Sequence, residues 1–340
     1  MYTQNIMGKI KLLSPLLSLC LIILSVSVGS VYISPKEIIE VLQFKLFTLP
    51  TEVSNTNISI IWSLRLPRTV LAFICGGALS VTGIVMQSLL RNPLASSYTL
   101  GVSSGASFGA CLVILYGFTL PFLPFFTLPL AGFICGLGTI FLVITFSGKI
   151  DKRMDNNTII LTGIVFSLFI NAIVTLLSAL AREEIDRLIF WQMGSFATKG
   201  WTPIFILLPI VLVGWVIIFS NHSELDIMTF GEEEAQSIGV NLKKSKVLLL
   251  IISAAITGSV IAFVGVIGFV DLVVPHISRR IYGSNHRHTL FFSIFLGGSF
   301  MVVCDIIART VATPSELPVG AVTALIGAPF FAHIFCKRKK

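Results

Sequence analysis

The chain has 340 residues, 55% of them hydrophobic and only 12% charged, with a mean hydropathy of +0.94. Soluble domains carry roughly 25% charged residues, so a soluble domain of any size is excluded, and the apolar runs lack the alternation of a membrane barrel. The net charge of +8 then matters through its distribution along the chain rather than as a sum.

The reading is an all-α integral membrane protein, one polytopic unit over 1–340. Apolar runs between charges and turn residues predict about ten transmembrane helices, starting near residues 12, 65, 97, 123, 157, 202, 246, 270, 288 and 318. The first run follows Lys9 and Lys11 like a signal peptide. No small-residue cleavage site follows it, so a spanning helix is expected.

The second span opens with LRLPRTV, where Pro67 suits a first helical turn and Arg65 and Arg68 stand at the outer mouth. Arg309 takes the same place at the outer end of the ninth span, before TPSELPVG. Outward arginines either snorkel to headgroups or offer docking points to an acidic partner. In the third span Gly101, Gly105 and Gly109 share one face, and Gly132 and Gly136 repeat the spacing in the fourth. Small residues at that interval let membrane helices approach closely. The segments 77–93 and 258–275 are faintly alike and run in opposite directions, as inverted repeats do.

Between the sixth and seventh spans lies TFGEEEAQSIGVNLKKSK, with Glu232, Glu233 and Glu234 in succession. Three buried glutamates would cost several kcal/mol on any insertion scale, so the stretch is expected outside the hydrocarbon. Acids near its start and Lys243 and Lys244 beyond its end suit a short helix, bracketed by Gly231 and Gly239; a solvated loop is the plainer alternative. Asp271 and His276 in GFVDLVVPHISRR, with Asp305 in the ninth span, are either a proton relay or helix-end groups satisfied locally.

Lysine and arginine set the orientation. With the N-terminus inside, the inside segments hold 16 of them and the outside segments 8, so both termini are expected in the cytoplasm. Cys20, Cys75, Cys111, Cys135, Cys304 and Cys336 lack metal-ligand spacing and read as small hydrophobes. The chain contains no G-x-x-x-x-G-K-[ST], H-E-x-x-H or C-x-x-C, and therefore no recognisable means of hydrolysing ATP itself.

The stretch LRLPRTVLAFICGGALSVTGIVMQSLLRNPLASSYTLGVSSGASFGA resembles the signature of the FecCD family, permease subunits of ABC importers for iron–siderophores, haem and cobalamin. The likeness continues through FWQMGSF, GEEEAQSIGVNL, GFVDLVVPHISRRIYGSNHR and DIIARTVATPSELPVGAVTALIGAPFF. It implies a ten-helix permease of the cobalamin-permease type in the bacterial plasma membrane. It also implies a second permease, identical or a sister, two cytoplasmic ATPase subunits that hold ATP and Mg, and an extracytoplasmic substrate-binding protein. No cofactor is expected on this chain.

By the same resemblance Arg65, Arg68 and Arg309 would dock the binding protein, and about 231–240, with Gly231, Glu232, Glu233, Glu234, Ala235, Ile238 and Gly239, would be the coupling helix seated on the ATPase. Asn92, Pro93 and Leu94, with Asn156 and Asn157, match the position of the cytoplasmic gate. The asparagines at 156–157 depart from the small hydroxyl residues of the cobalamin permease. A ferric chelate is the expected cargo; haem or cobalamin, or a proton-coupled carrier using Asp271, His276 or Asp305, are the alternatives.

Overall fold

The computed structural model describes residues 2–29, 31–180, 184–239 and 241–337, with backbone alone for 2–12 and 334–337. Arg182, Val240, Arg338, Lys339 and Lys340, and the side chains of Lys9, Lys11, Cys336 and Lys337, lie outside this description. Fifteen helices follow one another in the described residues: α1 (Tyr2–Ser27), α2 (Pro35–Phe47), α3 (Asn55–Ser59), α4 (Leu66–Leu89), α5 (Val102–Tyr116), α6 (Pro124–Ile150), α7 (Asn156–Leu180), α8 (Ile185–Gln192), α9 (Thr202–Ser220), α10 (His222–Phe230), α11 (Glu232–Ser237), α12 (Leu242–Val264), α13 (Val270–Tyr282), α14 (His286–Thr310) and α15 (Val319–Lys337). Among the described residues six helical stretches are long and apolar enough to cross a membrane: 55–89, α6, α7, α9, α12 and α14. Parts of α1, α5 and α15 are apolar but shorter.

Two helices form the centre. Every residue of α4 from Ile74 to Leu89 is buried, and so is almost all of α12 beyond Ser253. A helix that is apolar on all sides belongs inside a bundle. The outer helices instead leave large side chains such as Phe141, Leu161, Phe169, Phe205 and Val216 uncovered, the girdle that lipid would wet.

Helix contacts are set by glycine. At the α4–α14 crossing a Cβ on Gly76 would meet the Gly297 carbonyl oxygen at 2.2 Å, and a Cβ on Gly297 would meet the Gly76 oxygen at 2.4 Å. Between α5 and α6 a Cβ on Gly105 would meet the Cys135 oxygen at 2.5 Å, and one on Gly109 the Ala131 oxygen at 2.3 Å. Gly101 sits just before α5 at φ +88° against Thr139. Where backbones touch, dispersion contacts replace a hydrophobic drive that lipid removes.

The second span begins ten residues before its expected start. Ser54 caps α3, accepting from the Asn57 N–H at 3.2 Å, and the helix then runs without a break through a wide π turn at Ile60–Arg65 into α4. Pro67 has no N–H to give to the preceding turn; a π turn is the local adjustment that carries a helix past such a gap. The third span begins later than expected, at Val102, because residues 90–101 form an irregular loop before it.

A second irregular stretch, 265–269, separates α12 from α13 and is buried at Gly265 and Ile267 and half-buried elsewhere. Its flanking polar groups are met by distant segments: Ser195 N donates to the Val264 oxygen at 2.8 Å, and Tyr98 Oη to the Ile267 oxygen at 2.6 Å. Val319 N and Gly320 N in turn donate to the oxygens of Gly194 and Met193, each at 3.2 Å. Non-helical backbone at membrane depth is tolerated when protein satisfies it in this way. The two irregular loops follow the central helices of the faintly similar segments, and Thr257 Oγ1 on α12 lies within hydrogen-bond distance of Thr82 Oγ1 on α4 (3.3 Å) and of Ser97 Oγ in the loop after it (3.1 Å).

Candidate functional site

The site has two ends joined by the central helices. α4 runs from Arg68 to the cavity that contains Arg91, and α14 returns from His286 to Arg309. At about 1.5 Å per residue the 24 residues of α4 hold the two ends roughly 36 Å apart.

At one end Arg65, Arg68 and Arg309 line a cavity of about 580 Å³ together with Thr198 and Glu316. None of the three guanidinium groups is free. Arg65 is buried, donating through Nη1 to the oxygens of Val26 (3.0 Å) and Ser27 (3.1 Å) and through Nη2 to that of Val31 (2.6 Å). Arg68 donates through Nε to both Asp305 oxygens at 3.0 Å, through Nη2 to Asp305 Oδ1 at 2.8 Å, and through Nη1 to Glu316 Oε1 at 2.8 Å. Arg309 Nη2 donates to the Ser25 oxygen and to its Oγ, and Nε lies 3.8 Å from Asp305 Oδ2. Asp305 is fully buried and serves here as the acid that clamps two arginines. Three cations against two carboxylates leave this mouth one positive charge in excess.

At the other end a cavity of about 1030 Å³ is walled by Leu90 and Arg91 after α4, by Asp151, Arg153 and Asp155 before α7 with Asn156 and Asn157 at its start, and by Phe230–Glu234 and Gln236. The glutamate helix α11 occupies 232–237, inside the expected 231–240, because the chain turns through Gly231 at φ 155° and Gly239 at φ 97°. The three glutamates differ. Glu232 turns inward to Lys246 Nζ at 2.6 Å, whereas Glu233 and Glu234 are exposed. Ala235 packs into the core and Ile238 stands out, 69% exposed. Asn156 and Asn157 line the cavity, and Asn92, Pro93 and Leu94 follow its Arg91 wall. Asn92 Oδ1 accepts from the Leu94 N–H at 2.9 Å, which stiffens that turn.

The turn before α7 is equally braced. Asp151 accepts from the backbone N–H groups of Asp155 (2.8 Å) and Arg153 (2.9 Å), which hold its carboxyl below the ordinary range. Lys246, 1% exposed, reaches this turn as well, donating to the Met154 oxygen at 3.0 Å.

A second polar chain holds α10 in place. Asp226 Oδ1 meets His286 Nδ1 at 2.6 Å and accepts from its backbone N–H at 3.0 Å; His286 Nε2 lies 2.6 Å from Ser88 Oγ. Arg279 donates to Ser88 Oγ at 3.1 Å and to Gln87 Oε1 at 2.5 Å, and Gln87 Nε2 donates to the Asp271 oxygen at 3.3 Å. Serine, histidine and aspartate in this order match a hydrolytic triad in composition only. Ser88 and His286 are buried and Arg279 already occupies the hydroxyl, so the chain ties α10 to α4, α13 and α14. Asp271 is buried on α13 with Oδ2 unpartnered among the described groups.

Sequence reasoning missed Lys246, Glu316 and the Asp226–His286–Ser88–Arg279 chain. Lys246 was legible only as one more inside charge, the last before the apolar run that begins at Val247. The others join helices distant in sequence, and no spacing announces them.

Comparison with known proteins agrees with this geometry. The profile of the FecCD transport family matches residues 16–337. An uncharacterized ABC transporter permease protein of Bacillus subtilis, YvrB, is 40% identical over 322 residues, covering 94% of this chain and 91% of its own. The molybdate import system permease MolB of Haemophilus influenzae is 33% identical, covering 94% and 92%. Other relatives are named for cobalamin, haem and ferric citrate import. A solved ABC transporter assigned to the metal-chelate type, in an inward-facing conformation, superposes with a TM-score of 0.85 at 31% identity, covering 97% of this chain and 99% of that one. The chain belongs to the FecCD transport family: it is a permease subunit of an ABC importer and a multi-pass protein of the bacterial inner membrane.

Proposed function

We propose that this subunit passes a ferric iron–siderophore complex from an extracytoplasmic binding protein to the cytoplasm. The observation that carries the reading is the near-complete match to a transporter assigned to the metal-chelate type. In this reading ten helices span the membrane, counting α13 and the short α1, α5 and α15, with both termini inside. A second copy or a sister permease completes the pathway; the ferric dicitrate permeases FecC and FecD of Escherichia coli, 30% and 31% identical, are relatives that bear one system name. Two cytoplasmic ATPases hold ATP and Mg, since this chain has no phosphate loop.

The two ends then take separate roles. The arginine mouth faces the binding protein, and its excess positive charge steers an acidic surface more than it fixes affinity. Because Arg65 and Arg68 already hold the mouth together, the groups free to exchange partners are those facing the cavity, Arg68 Nη1 first. α11, with Glu233, Glu234 and Ile238 outward, seats on the ATPase, and Asn92–Leu94 with Asn156 and Asn157 form the gate. Family membership replaces the proton-coupled carrier, and Asp305, bound to Arg68, has no place in a relay.

The relative named for molybdate favours a second cargo, an oxyanion. Uptake by a strain lacking this chain separates the two, with radiolabelled ferric hydroxamate, ferric catecholate, haem, cobalamin and molybdate offered singly. Loss of one ferric chelate, restored by the intact gene, is the expected result; loss of molybdate, haem or cobalamin uptake alone would overturn the ferric assignment.

A further inference from the structure

We infer that Lys246 is the positioning residue through which movement of the glutamate helix reaches the start of α7; the inference rests on the reading of α11 as the ATPase-coupling helix. Among the described residues no hydrogen bond runs directly from 232–237 to 151–157. Lys246 spans the gap: one ammonium donates to Glu232 Oε1 at 2.6 Å and to the Met154 oxygen at 3.0 Å. The Met154 contact is buried and the Glu232 contact partly so: the lysine side chain and Met154 are each 1% exposed, and the Glu232 side chain 28%. A lysine buried this far gives up much of its hydration and is held only by what it bonds.

The partner turn is built to pass on a push. Met154 lies at φ +54° between two residues fixed by Asp151, whose carboxylate accepts from Arg153 and Asp155, and Asp155 in turn caps α7 by accepting from the Asn157 N–H at 3.0 Å. A displacement of α11 is therefore delivered through Glu232, Lys246 and Met154 into the first turn of α7, where Asn156 and Asn157 stand at the cavity. Lys246 itself sits in the second turn of α12, so the same atom carries the displacement to that central helix. This divides the three glutamates: Glu232 is committed to the permease, and Glu233 and Glu234 are left for the partner.

The test uses the permease with its ATPase in lipid nanodiscs. Spin labels are placed at the exposed positions Lys152 and Ser237 of one chain, diluted with unlabelled permease, and their separation is read with and without ATP. Wild type should keep one separation in both states, because the two segments travel together. Lys246→Met, and independently Glu232→Gln, should shift or split it when ATP is added, with recovery in Lys246→Arg, whose guanidinium can still donate to both acceptors. A role in folding alone would lower melting temperature in both variants but leave the separation independent of ATP, and would overturn the inference. A wild-type separation that changes with ATP would overturn it as well. If the label at Ser237 is not immobilised when the ATPase is added, the coupling-helix reading falls, and this inference with it; that readout is distinct from the distance.

Discussion

The strongest test of the arginine mouth is Asp305→Asn. The substitution keeps the shape of the side chain and removes the charge that accepts three hydrogen bonds from Arg68 and lies 3.8 Å from Arg309. Breaking a buried ion pair from one side typically costs about 3–5 kcal/mol, because the remaining charge stays desolvated. Arg68 would retain Glu316, but that partner is 42% exposed, and an exposed pair returns only about 0.2–1 kcal/mol. A net loss of roughly 3 kcal/mol is therefore expected. Cys75 and Cys304 are buried, so a thiol-reactive fluorogenic dye reports when the helices open on heating. The melting temperature of Asp305→Asn should fall by several degrees. Arg68→Met combined with it should cost less than the sum of the two single changes, with a coupling of about 0.5–3 kcal/mol. An unchanged melt, or strict additivity, would refute the view that Asp305 clamps the arginines.

Glu316→Gln should free Arg68 Nη1 at little cost to folding and strengthen docking of the binding protein up to about fivefold at low salt, the equivalent of one exposed pair; unchanged or weaker affinity in a surface-binding assay would count against Arg68 as an exchangeable contact. Gly297→Ala should destabilise by about 1–3 kcal/mol through overpacking against Gly76, seen in the same thermal assay. Gly138→Ala, with nothing within 4 Å of its added carbon, should leave the melt in place. Outside the apolar spans, Glu37 caps α2 by accepting from the Ser34 N–H and Oγ and from Asn57, and these bonds hold its carboxyl below the ordinary value. A lowered folded value means that the stabilisation is complete above the ordinary glutamate range and is lost as pH falls through the lowered value. Pepsin should therefore cut α2 increasingly toward the acid end of its working range, and Glu37→Gln should remove that pH dependence.

The apolar runs made the membrane class and the six long apolar helices legible, because hydrocarbon imposes one rule on every residue of a spanning helix. Spacing alone also marked the Gly105 and Gly109 face on α5. The Gly76–Gly297 crossing was less visible, since each helix contributes a glycine pair whose partner is over two hundred residues away. Net charge and position marked Arg65, Arg68 and Arg309 as belonging at one mouth, but not their internal partners. Asp305 looked like a lone intramembrane acid until the fold placed α4 beside the end of α14. The same holds for Glu232, indistinguishable in sequence from Glu233 and Glu234 and separated from them only by the lysine it meets. Helix existence is written locally; which side chain answers which is written by the crossing of helices.

The knot around 265–269 has a consequence for biosynthesis. The carbonyls of Met193 and Gly194 find their donors on Val319 and Gly320, and Gly320 presses against the Val266 oxygen. A ribosome that has released everything up to α14 into the membrane has not yet supplied that strip of chain. Until Val319 and Gly320 arrive, the oxygens of residues 193–194 lack these donors, and a buried backbone group left unpaired is costly. Chains cut before Val319 lack both donors, so they should be recognised and degraded as unfinished, whereas chains cut later within α15 keep this closure.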